Sequence, residues 1–305
     1  MDIRKISIVG TGTLGFMYGQ FLNSRLPEGS VRFVAGESVI ETYKNADITC
    51  NGEPCRFTFI PFGTVGPADL VIFAMRFCEL DNVIRRIGSQ VGKNTVILSF
   101  INGITSQDLL SRAFGNGRVL LCTVQGTDVS RSGSQIRYSN MGVMNIGTND
   151  GLPSDFMRAL TAFFDSMEFP YRCHPDMKKN LWERLVFNTG ICQAVAVYET
   201  DFDGVKREGE PRQIMISAMK EAVQVGQAEG VPVDDQTITD WLTLINGLDG
   251  IGISSMRRDL RAGRPTEVEL FSGTIRALGQ KHGIPTPTND FLYERIKEME
   301  LREGE

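Results

Sequence analysis

A short apolar run at residues 3–9 ends at Gly10-Thr11-Gly12-Thr13-Leu14-Gly15, and residues 16–22 continue with helical character. Strand, glycine-spaced turn and helix in this order constrain the chain more than any other feature, because each glycine has a geometric task. Gly10 permits the tight turn, Gly12 lets the backbone approach a pyrophosphate, and Gly15 permits close packing of helix on strand. The N–H groups of the helix's first turn and the positive end of its dipole then face the phosphates. Gly10, Thr11, Gly12, Thr13, Leu14 and Gly15 are therefore the first candidate cofactor-binding set, for a dinucleotide. A purely structural turn competes, since the chain has 32 glycines.

The rest of the first half repeats the theme. Strand-like runs at residues 31–35, 69–75, 96–100 and 118–124 alternate with helical stretches at 80–87 and 107–114. Such βα alternation predicts a parallel sheet covered on both faces, with residues 144–147 and 171–173 closing it. From Asp176 onward apolar residues recur at helical spacing, giving helix candidates at 177–197, 211–229, 234–245, 266–282 and 289–300. The expected fold class is α/β: a Rossmann-type parallel-sheet domain over residues 1–175, followed by an all-helical, substrate-binding domain over 176–305.

At 305 residues the chain is long enough for two cores. A net charge of −5 without a Lys/Arg run argues against a nucleic-acid surface and for a small-molecule partner. The apolar run after Arg4 and Lys5 is too short for a signal peptide, and no stretch approaches the roughly 20 apolar residues of a membrane span. A cytoplasmic protein without a membrane partner is expected. Six scattered cysteines lack metal-ligand spacing and read as free, mostly buried thiols. His174 and His282 stand without neighbouring ligands, so no metal is expected.

Cofactor choice turns on the end of the second strand, Val34-Ala35-Gly36-Glu37-Ser38. Glu37 stands near the expected distance, about 20 residues past the turn, at which an acid holds the ribose 2′-hydroxyl of NAD. No Arg or Lys follows until Lys44. A solvated acid at a helix start is the alternative reading of Glu37.

In the second half, Ser254-Ser255-Met256-Arg257-Arg258-Asp259 leads through residues 260–265 to Thr266-Glu267. Asn102-Gly103 follows the fourth strand-like run. Leu181-Trp182-Glu183-Arg184-Leu185-Val186-Phe187-Asn188 and Gly283-Ile284-Pro285-Thr286-Pro287-Thr288-Asn289 complete a pattern. With these strings the chain resembles the ketopantoate reductases, or 2-dehydropantoate 2-reductases, over nearly its whole length. The resemblance implies reduction of the keto group of 2-dehydropantoate to (R)-pantoate in pantothenate and coenzyme A biosynthesis. It implies NADP as cofactor, with NAD open because of Glu37. By resemblance Asn102 lies at the nicotinamide end, Asn188 and Ser255 bind the 2-keto acid, and Glu267 supports the catalytic group. A homodimer is also open.

Three positions depart from the family. The catalytic lysine four residues before Asn188 is Arg184, the asparagine one turn beyond is Cys192, and a lysine often found near the cofactor after the third strand is Arg76. A guanidinium is a poor proton donor, yet its charge and fork of donors can stabilise an oxyanion. Arg184 and Glu267 are thus the catalytic candidates, Asn188, Cys192 and Ser255 the substrate-binding ones, and Glu37, Arg76 and Asn102 join the cofactor set. Two alternatives stay open: a paralogous reductase of another 2-keto or imino acid, and a non-catalytic nucleotide-binding sensor.

Overall fold

The computed structural model describes residues 1–64, 66–247 and 250–302. Its strands are β1 (Ile6–Val9), β2 (Val31–Ala35), β3 (Thr49–Cys50), β4 (Glu53–Pro54), β5 (Thr58–Pro61), β6 (Ala68–Phe73), β7 (Val91–Ser99), β8 (Val119–Thr127), β9 (Ser130–Ser132), β10 (Gln135–Arg137), β11 (Met141–Gly147) and β12 (Tyr171–Cys173). Contacts divide the chain into two compact units, Met1–Asn102 with Ser106–Met177, and Gly103–Thr105 with Lys178–Glu305.

In the first unit, β1 is buried along its whole length and lies between two parallel neighbours, β2 and β6. The eight-stranded sheet runs β12-β11-β8-β7-β6-β1-β2-β5. Near-continuous apolar runs make this possible, because a parallel strand covered by helices must be apolar on both faces. The helices are α1 (Thr13–Asn23), α2 (Glu37–Lys44), α3 (Leu80–Arg86), α4 (Thr105–Phe114) and α5 (Asp155–Ser166). Phe16 of α1 meets Phe33 of β2, Tyr43 of α2 and Phe57 with ring centroids at 5.4 Å in each case, tying helices to sheet.

The sheet is parallel-dominated rather than wholly parallel. β11 runs antiparallel to β8, because the link between them holds only β9 and β10 and no crossover helix that could return the chain to the same direction. A second sheet, β4-β3-β10-β9, and the edge strand β5 have no counterpart in the sequence expectation. Nor do α5 and, in the second half, the short helices at Phe202–Lys206 and Ser255–Arg261.

The second unit is helical: α6 (Met177–Phe187), a π-helical segment Asn188–Cys192, α7 (Gln193–Val197), α8 (Phe202–Lys206), α9 (Glu210–Ala228), α10 (Asp235–Asn246), α11 (Ser255–Arg261), α12 (Ser272–His282) and α13 (Pro287–Arg302). Two expectations need correction. The helix at 177–197 is interrupted by the π-helical turn, where all five residues are buried. The helix expected at 266–282 starts only at Ser272, after a 3₁₀ turn Val268–Leu270 and a break at Phe271 (φ −104°, ψ −95°). Thr266 is drawn out of helical geometry because both its N–H and its hydroxyl donate to Glu300 of α13, each at 2.7 Å. Among the described residues, no helix is long and apolar enough to cross a membrane, and no His/Cys/Asp/Glu group could hold a metal ion.

Candidate functional site

The glycine turn sits where the sheet's strand order reverses, between the ends of β1 and β6, the position at which open α/β sheets receive ligands. Gly10 has φ +106°, and a Cβ there would lie 2.4 Å from the Ala74 carbonyl oxygen. At Gly15 a Cβ would come within 2.8 Å of the Gly10 carbonyl, so only glycine lets α1 start this close to the strand. Gly12 is the N-cap of α1, with no side chain capping the helix and no acid in its first turn. The first N–H groups of α1 are thus free of side-chain competition, and the donor set suits an anionic pyrophosphate. Thr11, Thr13 and Leu14 complete the turn, half-buried.

Arg131 is a residue that sequence reasoning missed. From β9 it donates to the Thr11 carbonyl (2.5 Å), the Tyr43 hydroxyl (2.6 Å) and the Gly133 carbonyl (2.7 Å). Its guanidinium also faces the Phe16 ring at 5.1 Å. The turn is therefore braced from the small sheet by a cation 120 positions away in sequence, a pairing that no local pattern announces. Elsewhere in this unit Glu37 opens α2 and is exposed, Arg76 is half-buried after β6, and Asn102 is half-buried beyond β7. The end of β7 is fixed below Asn102 by Ser99, whose hydroxyl pairs with Ser106 at 2.9 Å.

In the second unit, Arg184, Asn188, Cys192, Ser255 and Glu267 are brought together around the Cys192 thiol. Its Sγ donates to Asn188 Oδ1 at 3.8 Å, accepts a hydrogen bond from the Ser255 hydroxyl, and feels the charges of Arg184, Glu267 and Arg258. Burial pushes this thiol up to about 12, against the opposing pull of Arg184, so it is neutral at ordinary pH. Burial likewise pushes Arg184 below the usual guanidinium range, while Cys192 and Glu267 pull it back. Arg184 is largely enclosed by protein yet keeps some accessible surface.

The backbone explains how these groups meet. The π-helical segment follows directly on α6, and its loosened carbonyls are taken up by side chains. Ser254 donates to the Cys192 carbonyl at 3.0 Å, and Gln193 donates to that of Thr189 at 2.7 Å. π-bulges recur at functional sites because they re-aim side chains within a helix. Gly190 lets the segment lie against α9, since a Cβ would come within 2.6 Å of Met219. Trp241 of α10 packs at a tilt against Phe187, with ring centroids 4.4 Å apart, and donates to the Glu183 carbonyl, bracing the last turn of α6 that carries Arg184.

Ser254, not Ser255, is the N-cap of α11, accepting from Arg257 N at 3.2 Å. Ser255 is exposed in the first turn, and capping is not its task. Lys178 and Lys179 are occupied elsewhere, by the Glu229 carbonyl and by Glu183, so neither replaces a lysine at position 184.

Two models of one family match this chain, "Ketopantoate reductase PanE/ApbA" over residues 6–151 and "Ketopantoate reductase PanE/ApbA C terminal" over 176–300. The chain belongs to the ketopantoate reductase family. It is 23% identical over 302 residues to the 2-dehydropantoate 2-reductase of Vibrio cholerae, covering 97% of each chain. It is 26% identical over 313 residues to that of Aquifex aeolicus, covering 98% of each. Among solved structures it is similar to a D-mandelate dehydrogenase in ternary complex with NADH and anilino(oxo)acetate, with TM-score 0.85, 18% identity, and coverage of 99% of this chain and 100% of that one. That structural likeness establishes the fold.

Proposed function

We propose that this family member is a nicotinamide-dependent reductase of a branched 2-keto acid, with 2-dehydropantoate as substrate and (R)-pantoate as product. The observation that carries the reading is the largely enclosed Arg184 cation, set beside Glu267 and among the hydrogen-bonding groups of Asn188, Cys192 and Ser255. A reduced nicotinamide, when bound, supplies a hydride for the keto carbon.

The residues of the chain divide the remaining work. The uncapped first turn of α1 at Gly12 takes the pyrophosphate, and Asn102 serves the nicotinamide end. Asn188 and Ser255 offer polar groups to the keto acid's carboxylate and hydroxyl. As the carbonyl oxygen gains negative charge, Arg184 stabilises it with a charge held in place before the reaction, an effect worth on the order of 3 kcal/mol. A guanidinium gives up its proton reluctantly, so the alkoxide takes its proton from water. Glu267 keeps the cation oriented and charged.

NADP is the cofactor expected of the family, but no cation stands at Glu37, and its exposed carboxylate suits the ribose hydroxyls of NAD. Selectivity for NADPH over NADH is therefore below about a hundredfold, or ~2.7 kcal/mol. A second reading, a paralogue acting on another 2-keto acid, is favoured by Cys192: a thiol where the family pattern has an amide is a smaller, less polar side chain and leaves a roomier, less polar site. The likeness in fold to a D-mandelate dehydrogenase is consistent with it.

The test is a turnover assay of the purified chain with 2-dehydropantoate and a panel of branched, linear and aromatic 2-keto acids, using NADH and NADPH separately. Highest kcat/KM on 2-dehydropantoate supports the proposal. Highest kcat/KM on another 2-keto acid moves the chain to the second reading, and dinucleotide binding without any turnover makes it a sensor.

A further inference from the structure

Two cysteines outside the candidate site stand together in the small sheet. β3 and β4 form a hairpin whose two-residue turn is Asn51-Gly52, both with positive φ (52° and 87°), the conformation of a type I′ turn. Such a turn fixes the register: Cys50 opposes Glu53, Thr49 opposes Pro54, and Cys55 N donates to the Ile48 carbonyl at 2.8 Å. Side chains alternate between the faces of a strand, so Cys50 and Cys55 share one face as diagonal neighbours across the hairpin. The Cys55 thiol donates to the Glu53 carbonyl at 3.7 Å, and the two thiols act on each other's ionisation. Cys50 is buried and Cys55 half-buried, so Cys55 is the more accessible of the two.

We propose that Cys50 and Cys55 form a redox modification site, closing to an intramolecular disulfide under a two-electron oxidant such as hydrogen peroxide. The neighbouring Cys50 pulls Cys55 below the usual thiol value, while Cys55 and burial push Cys50 above it. Cys55 is thus the attacking sulfur. The Cys55 thiolate displaces hydroxide from peroxide and becomes a sulfenic acid. Cys50 then loses its proton and attacks that sulfur, and the hydroxyl leaves as water. Two thiols and one peroxide give one disulfide and two waters; the sulfurs lose two electrons and the peroxide gains them. Closure brings the two sulfurs of these diagonal neighbours to the ~2.05 Å of a disulfide bond. By contrast Cys122 and Cys192 are buried singly, and Cys78 and Cys173 are exposed.

The experiment treats the whole folded chain with hydrogen peroxide, unfolds it, alkylates free thiols and digests with trypsin. Both cysteines lie in one tryptic peptide, residues 45–56. The proposal expects that peptide to escape alkylation, to weigh two hydrogen atoms less than its reduced form, and to regain both alkylatable thiols after dithiothreitol. Two of the chain's six thiols disappear before the rest react. In Cys55→Ser the peptide keeps an alkylatable Cys50 under the same treatment. Full alkylation of residues 45–56 while Cys78 or Cys173 oxidises would overturn the proposal, as would a sulfinic acid on Cys55 with Cys50 still free.

Discussion

The glycine turn of the first unit and the Arg184 cluster of the second are built from opposite materials. The turn is made of backbone: its donors are main-chain N–H groups, and its side chains matter mostly by being absent. The cluster is made of side chains brought from α6, the π-helical segment, α11 and the loop before α12, around a thiol that burial keeps neutral. A backbone site tolerates almost any sequence that leaves room for it, whereas a side-chain site changes its chemistry with each substitution. That difference fits the expectation from the family pattern, in which Gly10, Gly12 and Gly15 keep the familiar spacing while Arg184 and Cys192 depart from it.

The largest effect that would break this comparison is expected at the turn. In Gly10→Ala a Cβ must fit where the Ala74 carbonyl oxygen lies 2.4 Å away, at a φ of +106° that disfavours side chains. Strain of about 1–3 kcal/mol and a displaced turn follow. Titration calorimetry should find dinucleotide affinity at least about a hundredfold weaker, or ~2.7 kcal/mol; unchanged affinity would mean that the turn does not hold the phosphates.

A smaller loss is expected for Arg131→Ala, which removes the brace from Thr11 while leaving every glycine in place. Weakening of dinucleotide binding by about tenfold, ~1.4 kcal/mol, with kcat at saturation nearly unchanged, sharpens the picture of a backbone site supported from outside. Unaltered affinity would reduce Arg131 to packing.

The smallest effect concerns pH. The Cys192 thiol loses its proton only near 12, so it stays neutral through the neutral range and adds no ionisation to the pH–rate profile between about 6 and 9. Cys192→Ser should leave the shape of that profile intact. If it removed an inflection near neutrality, the thiol would be ionising in the active enzyme and the reading of the cluster as a neutral thiol beside a cation would fall.

How much of this could be read from the sequence depends on the range of the interactions. Apolar runs gave β2 at its observed ends and β6 within two residues of them, because a strand in a covered parallel sheet declares itself locally, while β1 starts later than its run and β7 begins earlier, in the polar stretch Gly92-Lys93-Asn94-Thr95. The hairpin at Asn51-Gly52 carries a strong turn signal, yet its strands are only two residues long and offer no periodicity to accompany it. Arg131 was unreadable for a different reason, since its partners Thr11 and Tyr43 lie 120 and 88 positions away. Within the cluster, the Arg184 and Asn188 spacing was visible, but the π-helical turn that follows was not, because it depends on Ser254 and Gln193 supplying bonds to its carbonyls. Glu267 was expected inside a helix, which Glu300 prevents by holding Thr266.

The central claim is that Arg184 acts on the developing alkoxide and takes no part in holding the dinucleotide. It is tested most directly by measuring kcat and dinucleotide affinity together in Arg184→Ala. Loss of a positioned charge should lower kcat by at least about a hundredfold, ~2.7 kcal/mol, with the dissociation constant for the dinucleotide nearly unchanged. An Arg184→Ala enzyme with the kcat of the parent, or one whose loss lies wholly in dinucleotide binding, would contradict the account.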